Sequence, residues 1–200
     1  MVAQFDQAFA AGQLIKEVKT IFNRQYDPAL ATSTINWLNK PLTDKMLDEK
    51  KRFYTLQGER ERIVHQYEME QDPINTDRKN LLQELAETTS ANKTTMKSQT
   101  IIFRSILSAF NKLSSRNLTE TQIDGIVQNY RQQIRSQIDQ GVIDQASTMF
   151  YNVDDKAMRD YLSFYQSEAG HWLSSTTADG IHTALQSAAD RFNKAVAGIE

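Results

Sequence analysis

Leu118-Thr119-Glu120-Thr121-Gln122-Ile123 is the stretch whose reading decides the fold. Thr119 and Gln122 have the spacing of a capping box, in which two side chains satisfy free backbone N–H groups at a helix start, and Leu118 and Ile123 stand at the hydrophobic-staple positions. Behind them Ile123, Val127, Tyr130, Ile134 and Ile138 recur every three or four residues, the apolar face of an amphipathic helix. The same signals run outward in both directions. Val153, Asp154 and Met158 repeat staple and cap ahead of a helix reaching Glu168. A last helix then runs from His171 to near Ala197, with Leu173, Thr177, Ile181, Leu185 (or Ala184), Ala188, Phe192 and Val196 on one face. Upstream, Ile102, Ile106, Phe110 and Leu113 form another stripe. Residues 4–25 read as a first helix, through Phe5, Phe9, Ile15, Val18 and Phe22, and Asp27-Pro28 opens a short second one over 28–39, since proline suits a first helical position.

Composition agrees. The 200 residues include only 7 Gly and 3 Pro, too few for the turns of a sandwich or barrel. A hydrophobic fraction of 40% and a charged fraction of 24% are those of a globular chain. With 23 basic and 25 acidic residues the formal charge is −2, so no global field draws the chain onto nucleic acid or an anionic bilayer. Cysteine is absent, which removes disulfides and thiolate chemistry. No run of about 18 apolar residues occurs, and no membrane span is expected.

Pro41 opens the most regular segment. Leu42, Glu49, Leu56 and Ile63 fall seven apart, as do Met46, Phe53, Arg60 and Tyr67, which predicts one stripe on a single helix of about thirty residues over 42–71. Burial of that stripe is expected, within the chain or across a homodimer. Glu59-Arg60-Glu61-Arg62 and the charges near Lys50 read as a solvated face. Asp72-Pro73 ends the helix. The polar run 86–98 reads as a loop and as the boundary between an N-terminal half, 1–90, and a C-terminal half, 91–200.

Sliding Ile35–Met46 by 127 residues lays it on Leu162–Leu173, with apolar positions coinciding at 35/162, 37/164, 38/165, 42/169 and 46/173. The pattern predicts two related helix-turn-helix arrangements, 28–60 and 155–187. The second copy, Phe164-Tyr165-Gln166-Ser167-Glu168-Ala169-Gly170-His171-Trp172-Leu173, resembles the F-Y-x-S-P-x-G-x-x-L motif of a bacterial family of exported helical proteins of unknown function. Phe164, Tyr165, Ser167, Gly170 and Leu173 match it. Glu168 stands where that family usually has proline, whereas the first copy keeps Pro41 and places Thr43 at the glycine position. The resemblance covers about 50 residues, Thr119 to Leu173, and implies a periplasmic or secreted protein whose signal peptide has been removed. It brings no catalytic residues.

Candidate chemistry is sparse. Glu168 with His171 and Asp179 with His182 have helix-ligand spacing, but the two histidines lie about 16 Å apart along one helix, too far to share an ion, so neither a metal nor a cofactor is expected. His65, flanked by Glu61 and Glu68, reads as a solvated pairing. Asp154-Asp155 reads as a helix cap rather than an acid–base pair. No nucleophile elbow, phosphate loop or zincin motif occurs. Trp37, Tyr161, Tyr165 and Trp172 are the candidate ligand- or partner-binding residues, with ordinary core packing as their other reading. Pro41 and Gly170 are read as structural joints, Gly170 through a left-handed backbone at a reversal of direction.

The sequence therefore predicts an all-α protein, a helical bundle of about six to eight helices in two related halves. The function expected is a non-catalytic binding or interaction protein of the bacterial cell envelope, taking a protein, a peptide or a small apolar ligand. A cytosolic adaptor or oligomeric scaffold working through the 42–71 stripe is the alternative, and an enzyme of unrecognised type the third reading.

Overall fold

The computed structural model describes residues 1–114 and 117–198. Among these the chain is all-helical, without strands: α1 (Val2–Ala8), α2 (Ala11–Arg24), α3 (Pro28–Leu38), α4 (Pro41–Phe53), α5 (Leu56–Gln71), α6 (Thr76–Thr88), α7 (Ala91–Leu113), α8 (Glu120–Met149), α9 (Asp155–Tyr165) and α10 (Glu168–Ala197). No helix among the described residues is long and apolar enough to cross a membrane.

The capping box forms as read: the Gln122 N–H donates to Thr119 Oγ1 at 3.3 Å and the Thr119 N–H to Gln122 Oε1 at 2.9 Å. Ten helices replace the expected six to eight because two long segments break. Residues 4–25 divide at Phe9-Ala10. Residues 41–71 divide at Tyr54-Thr55, where the Thr55 hydroxyl donates to Arg52 O at 2.7 Å and accepts from the Gly58 N–H at 3.0 Å, closing one helix and capping the next. The run 86–98 is not a loop. Only Thr89 and Ser90 leave the helix, Ser90 at φ 54°, and the hydroxyls of Thr89 and Thr100 bond to carbonyls four residues back, at Leu85 and Met96.

Two compact units form, and each draws on both sides of residue 90. Unit 1 takes Met1–Tyr26, Lys93–Ile138 and Ser175–Glu200; unit 2 takes Asp27–Asn92 and Asp139–Ser174. In unit 1, Phe5 stacks on Phe9 at 4.4 Å and meets Phe192 edge-on at 5.4 Å, over the buried Ala8, Ala109 and Val196. Unit 2 packs Trp37, Met46, Leu82, Met158, Tyr161 and Phe164 into one core. A salt bridge from Arg78 to Asp155 at 2.9 Å, with a bond from Arg78 to Phe150 O, ties α6 to the start of α9.

Helices α3 and α9 are each 11 residues long. The 127-residue shift carries Pro28, Leu38 and Pro41 onto Asp155, Tyr165 and Glu168, the corresponding bounds of α9 and the start of α10. Asp27 caps α3 through the Ala29 and Leu30 N–H groups, and its counterpart Asp154 caps α9 through Ala157. Pro41 is the first residue of α4, preceded by Lys40 in the extended conformation that proline imposes.

Gly170 neither breaks the chain nor turns left-handed: it is the third residue of α10, and no described glycine has positive φ. What it permits is close approach. A Cβ there would lie 2.1 Å from Phe164 O and 2.5 Å from Tyr165 Cα. Ser167 completes the joint, donating to Phe164 O at 2.6 Å and accepting from the Gly170 N–H at 3.2 Å. Thr55 and Gly58 build the same joint between α4 and α5, where a Cβ on Gly58 would meet Arg52 O at 2.2 Å. At the α3–α4 joint Thr43 takes the glycine's place and donates its hydroxyl to Trp37 O at 2.8 Å.

Candidate functional site

The break at Tyr54-Thr55 decides which way the heptad stripe faces. Before it, Met46 and Phe53 are buried and Leu42 half-buried. After it, Leu56, Ile63 and Tyr67 are 78%, 67% and 64% exposed, and Val64 beside them 56%. Within the chain, then, only the first half of the stripe packs inward, and its second half faces out, leaving burial across a homodimer as the remaining form of that expectation. The side of α5 that packs inward is the opposite one, and its buried residues are Gly58 and His65.

His65 is thus enclosed rather than solvated. Its Nε2 lies 3.4 Å from Ser147 Oγ on α8, its ring 4.4 Å from that of Tyr151, and Ser147 in turn donates to Met69 Sδ at 3.4 Å. Nδ1 has no hydrogen-bond partner, and Glu68 approaches it only to 3.8 Å. The glutamate stays out because it reaches solvent while the imidazole faces α8.

Beside α5 lies a cleft of about 500 Å³. Met69, Pro73, Ile74 and Ile143 give it an apolar floor, while Gln66, Glu70, Lys79, Gln140 and Asp144 supply the polar rim. It is large enough for a small amphipathic molecule, with charge of both signs at its mouth.

The aromatics singled out from the sequence lie elsewhere. Trp37 stacks on Phe164 at 3.7 Å and contacts the rings of Tyr161 and Tyr165 at 5.5 and 5.7 Å. The Lys50 ammonium donates to Tyr161 Oη at 2.9 Å, and the two tyrosine hydroxyls lie 3.2 Å apart. Burial pushes both hydroxyls above the ordinary tyrosine range. Trp37 and Tyr161 are buried, Tyr165 and Trp172 half-buried, and none of the four lines the cleft. His171 is exposed. His182 Nε2 lies 3.3 Å from Thr94 O, and burial lowers its pKa. Among the described residues no three histidine, aspartate or glutamate side chains converge as a metal-binding group.

The outward face of α5 and the cleft are not legible in residue spacing alone. The signal for the first was Thr55-x-x-Gly58, a cap inside an otherwise continuous heptad pattern. No family model, no curated protein and no solved structure matches the chain.

Proposed function

We propose that this chain is a non-catalytic interaction protein of the bacterial cell envelope, a helical bundle built on a duplicated helix-turn-helix, and that it makes its contacts through α5. The observation carrying this reading is the orientation of α5, which buries a histidine and a glycine while turning Leu56, Ile63, Val64 and Tyr67 to solvent. Exposed apolar groups gathered on one helix face mark an association surface. Support for the envelope comes from the resemblance of Phe164–Leu173 to the motif of exported proteins. Support for duplication comes from the bounds and aspartate N-caps of α3 and α9 and from the starts of α4 and α10, which agree under a single shift, although α4 closes at Phe53 while α10 runs on to Ala197.

Site-specific photo-crosslinking in the living host tests both parts. A crosslinker at position 63 should give adducts in the periplasmic fraction, while one at Asp48, exposed on α4, should give none. Equal labelling at both positions, none at 63, or protein confined to the cytoplasm overturns the proposal.

The cleft supports a second reading, a small amphipathic ligand seated on Met69, Ile74 and Ile143. An environment-sensitive apolar dye should then bind, and Ile143→Trp should displace it; binding that ignores this change ends that reading.

A further inference from the structure

Arg60, Ile63, Val64, Tyr67 and Glu70 are all exposed, and at 100° per residue they share an arc of about 120° with Leu56, opposite the buried Gly58 and His65. Neighbouring charges are already engaged. Arg52 pairs with Glu49 and Glu61, and the Arg62 guanidinium lies 5.3 Å over the Phe53 ring. Arg60 and Glu70 make no ion pair among the described residues. One full cationic and one full anionic charge therefore flank Ile63 and Tyr67, one on either side along the helix.

We propose that the occupant of this face is a second copy of the chain, its α5 lying antiparallel against the first about a two-fold axis. This rests on the reading of α5 as the contact surface and names its partner. A two-fold interface must be complementary to itself. In the antiparallel register that sets Ile63 opposite the partner's Tyr67, and Tyr67 opposite the partner's Ile63, residue numbers across the seam sum to 130. Arg60 then falls opposite the partner's Glu70, and Glu70 opposite the partner's Arg60. A parallel, in-register pairing instead opposes Arg60 to Arg60 and Glu70 to Glu70. The antiparallel register two turns away, with Leu56 opposite Tyr67, leaves Arg60 against Ile63. Charge thus selects one arrangement of the three. A single pair of short helices is a small interface beside the roughly 800 Å² per partner of a standard one, so the dimer is expected to dissociate on dilution.

The test uses the full chain in analytical ultracentrifugation from low to high micromolar concentration. The wild type should shift from monomer to dimer. Arg60→Glu and Glu70→Arg should each weaken self-association by about tenfold or more, with melting temperature unchanged because both side chains are exposed. An equimolar mixture of these two single variants should regain dimer, since every cross-copy pair is again of opposite sign, and the double variant Arg60→Glu/Glu70→Arg should dimerise alone. A wild type that stays monomeric throughout, or a mixture and double variant that stay monomeric, overturns the inference. Crosslinked adducts from position 63 whose mass is not twice that of the chain overturn it too, yet leave α5 standing as a contact surface; no adducts at all remove both.

Discussion

The rings of Trp37 and Phe164 stack face to face, 3.7 Å between centroids and 6° from parallel, and each is the next-to-last residue of its 11-residue helix. Under the 127-residue shift the two positions coincide, so each ring packs on the residue that stands in its own place on the other helix.

Truncating either ring should cost about 3–5 kcal/mol, as large aromatic deletions in a core do. The double variant Trp37→Ala/Phe164→Ala should cost less than the sum by about 0.5–1.5 kcal/mol, the energy of the stacked pair beyond its burial. Urea unfolding of the four proteins checks this; strict additivity would show that the rings touch without supporting each other.

Glycines should divide into two groups. Gly58→Ala and Gly170→Ala force a methyl onto a backbone carbonyl at 2.2 and 2.1 Å, so each should destabilise by about 1–3 kcal/mol or more, the range for overpacking. Gly125 and Gly141 lie inside α8 with nothing within 4 Å of an added Cβ, and alanine there should stabilise by about 0.5–1 kcal/mol. Thermal melts of all four decide it, and a Gly170→Ala protein as stable as the wild type would refute the close-approach argument.

Opposite responses are expected on the two sides of Thr55. Phe53→Ala removes a buried ring and should cost about 3–5 kcal/mol. Ile63→Lys alters a side chain 67% exposed, and the change should stay within about 0.5 kcal/mol. Comparable losses at both positions, measured on dilute protein, would mean that the stripe is buried throughout.

Stability should fall on mild acidification through His182. Burial lowers its folded pKa below the ordinary value of 6.5, so the unfolded chain takes up the proton first. The contribution is intact above about pH 6.5 and is lost as pH drops from there toward the lower folded pKa. Wild type should therefore lose more stability than His182→Gln between pH 7.5 and 5.5; parallel losses would contradict it.

Much of the fold was legible because helix ends are written in short side-chain signals. Asp27-Pro28, Thr119 with Gln122, and Asp154 each name a cap by residue type and spacing, and each forms its bonds. Thr55 was illegible because its cap sits inside an unbroken heptad pattern, and the pattern is the louder signal. The run 86–98 misled in the opposite sense: its polar composition reads as a loop, yet only Thr89 and Ser90 leave the helix. The candidate site was less legible than the fold for a geometric reason. Spacing shows that Leu56, Ile63 and Tyr67 share a face with each other, but only the rotation at Thr55 determines whether that face meets the core or water. His65 follows from the same rotation.

The interleaving of the two units sets the order in which the molecule can assemble. Unit 2 joins residues 27–92 to 139–174, and unit 1 joins the N-terminus to a segment beginning at Ser175. As the chain is synthesised, Trp37 waits for Phe164, and Phe5 and Phe9 wait for Phe192. No single cut parts one unit from the other, and a nascent chain stopped at residue 138 holds neither core. Closing such distant pairs is slow relative to forming local helices, so the growing polypeptide stays open, its apolar faces uncovered, until almost its last helix is made.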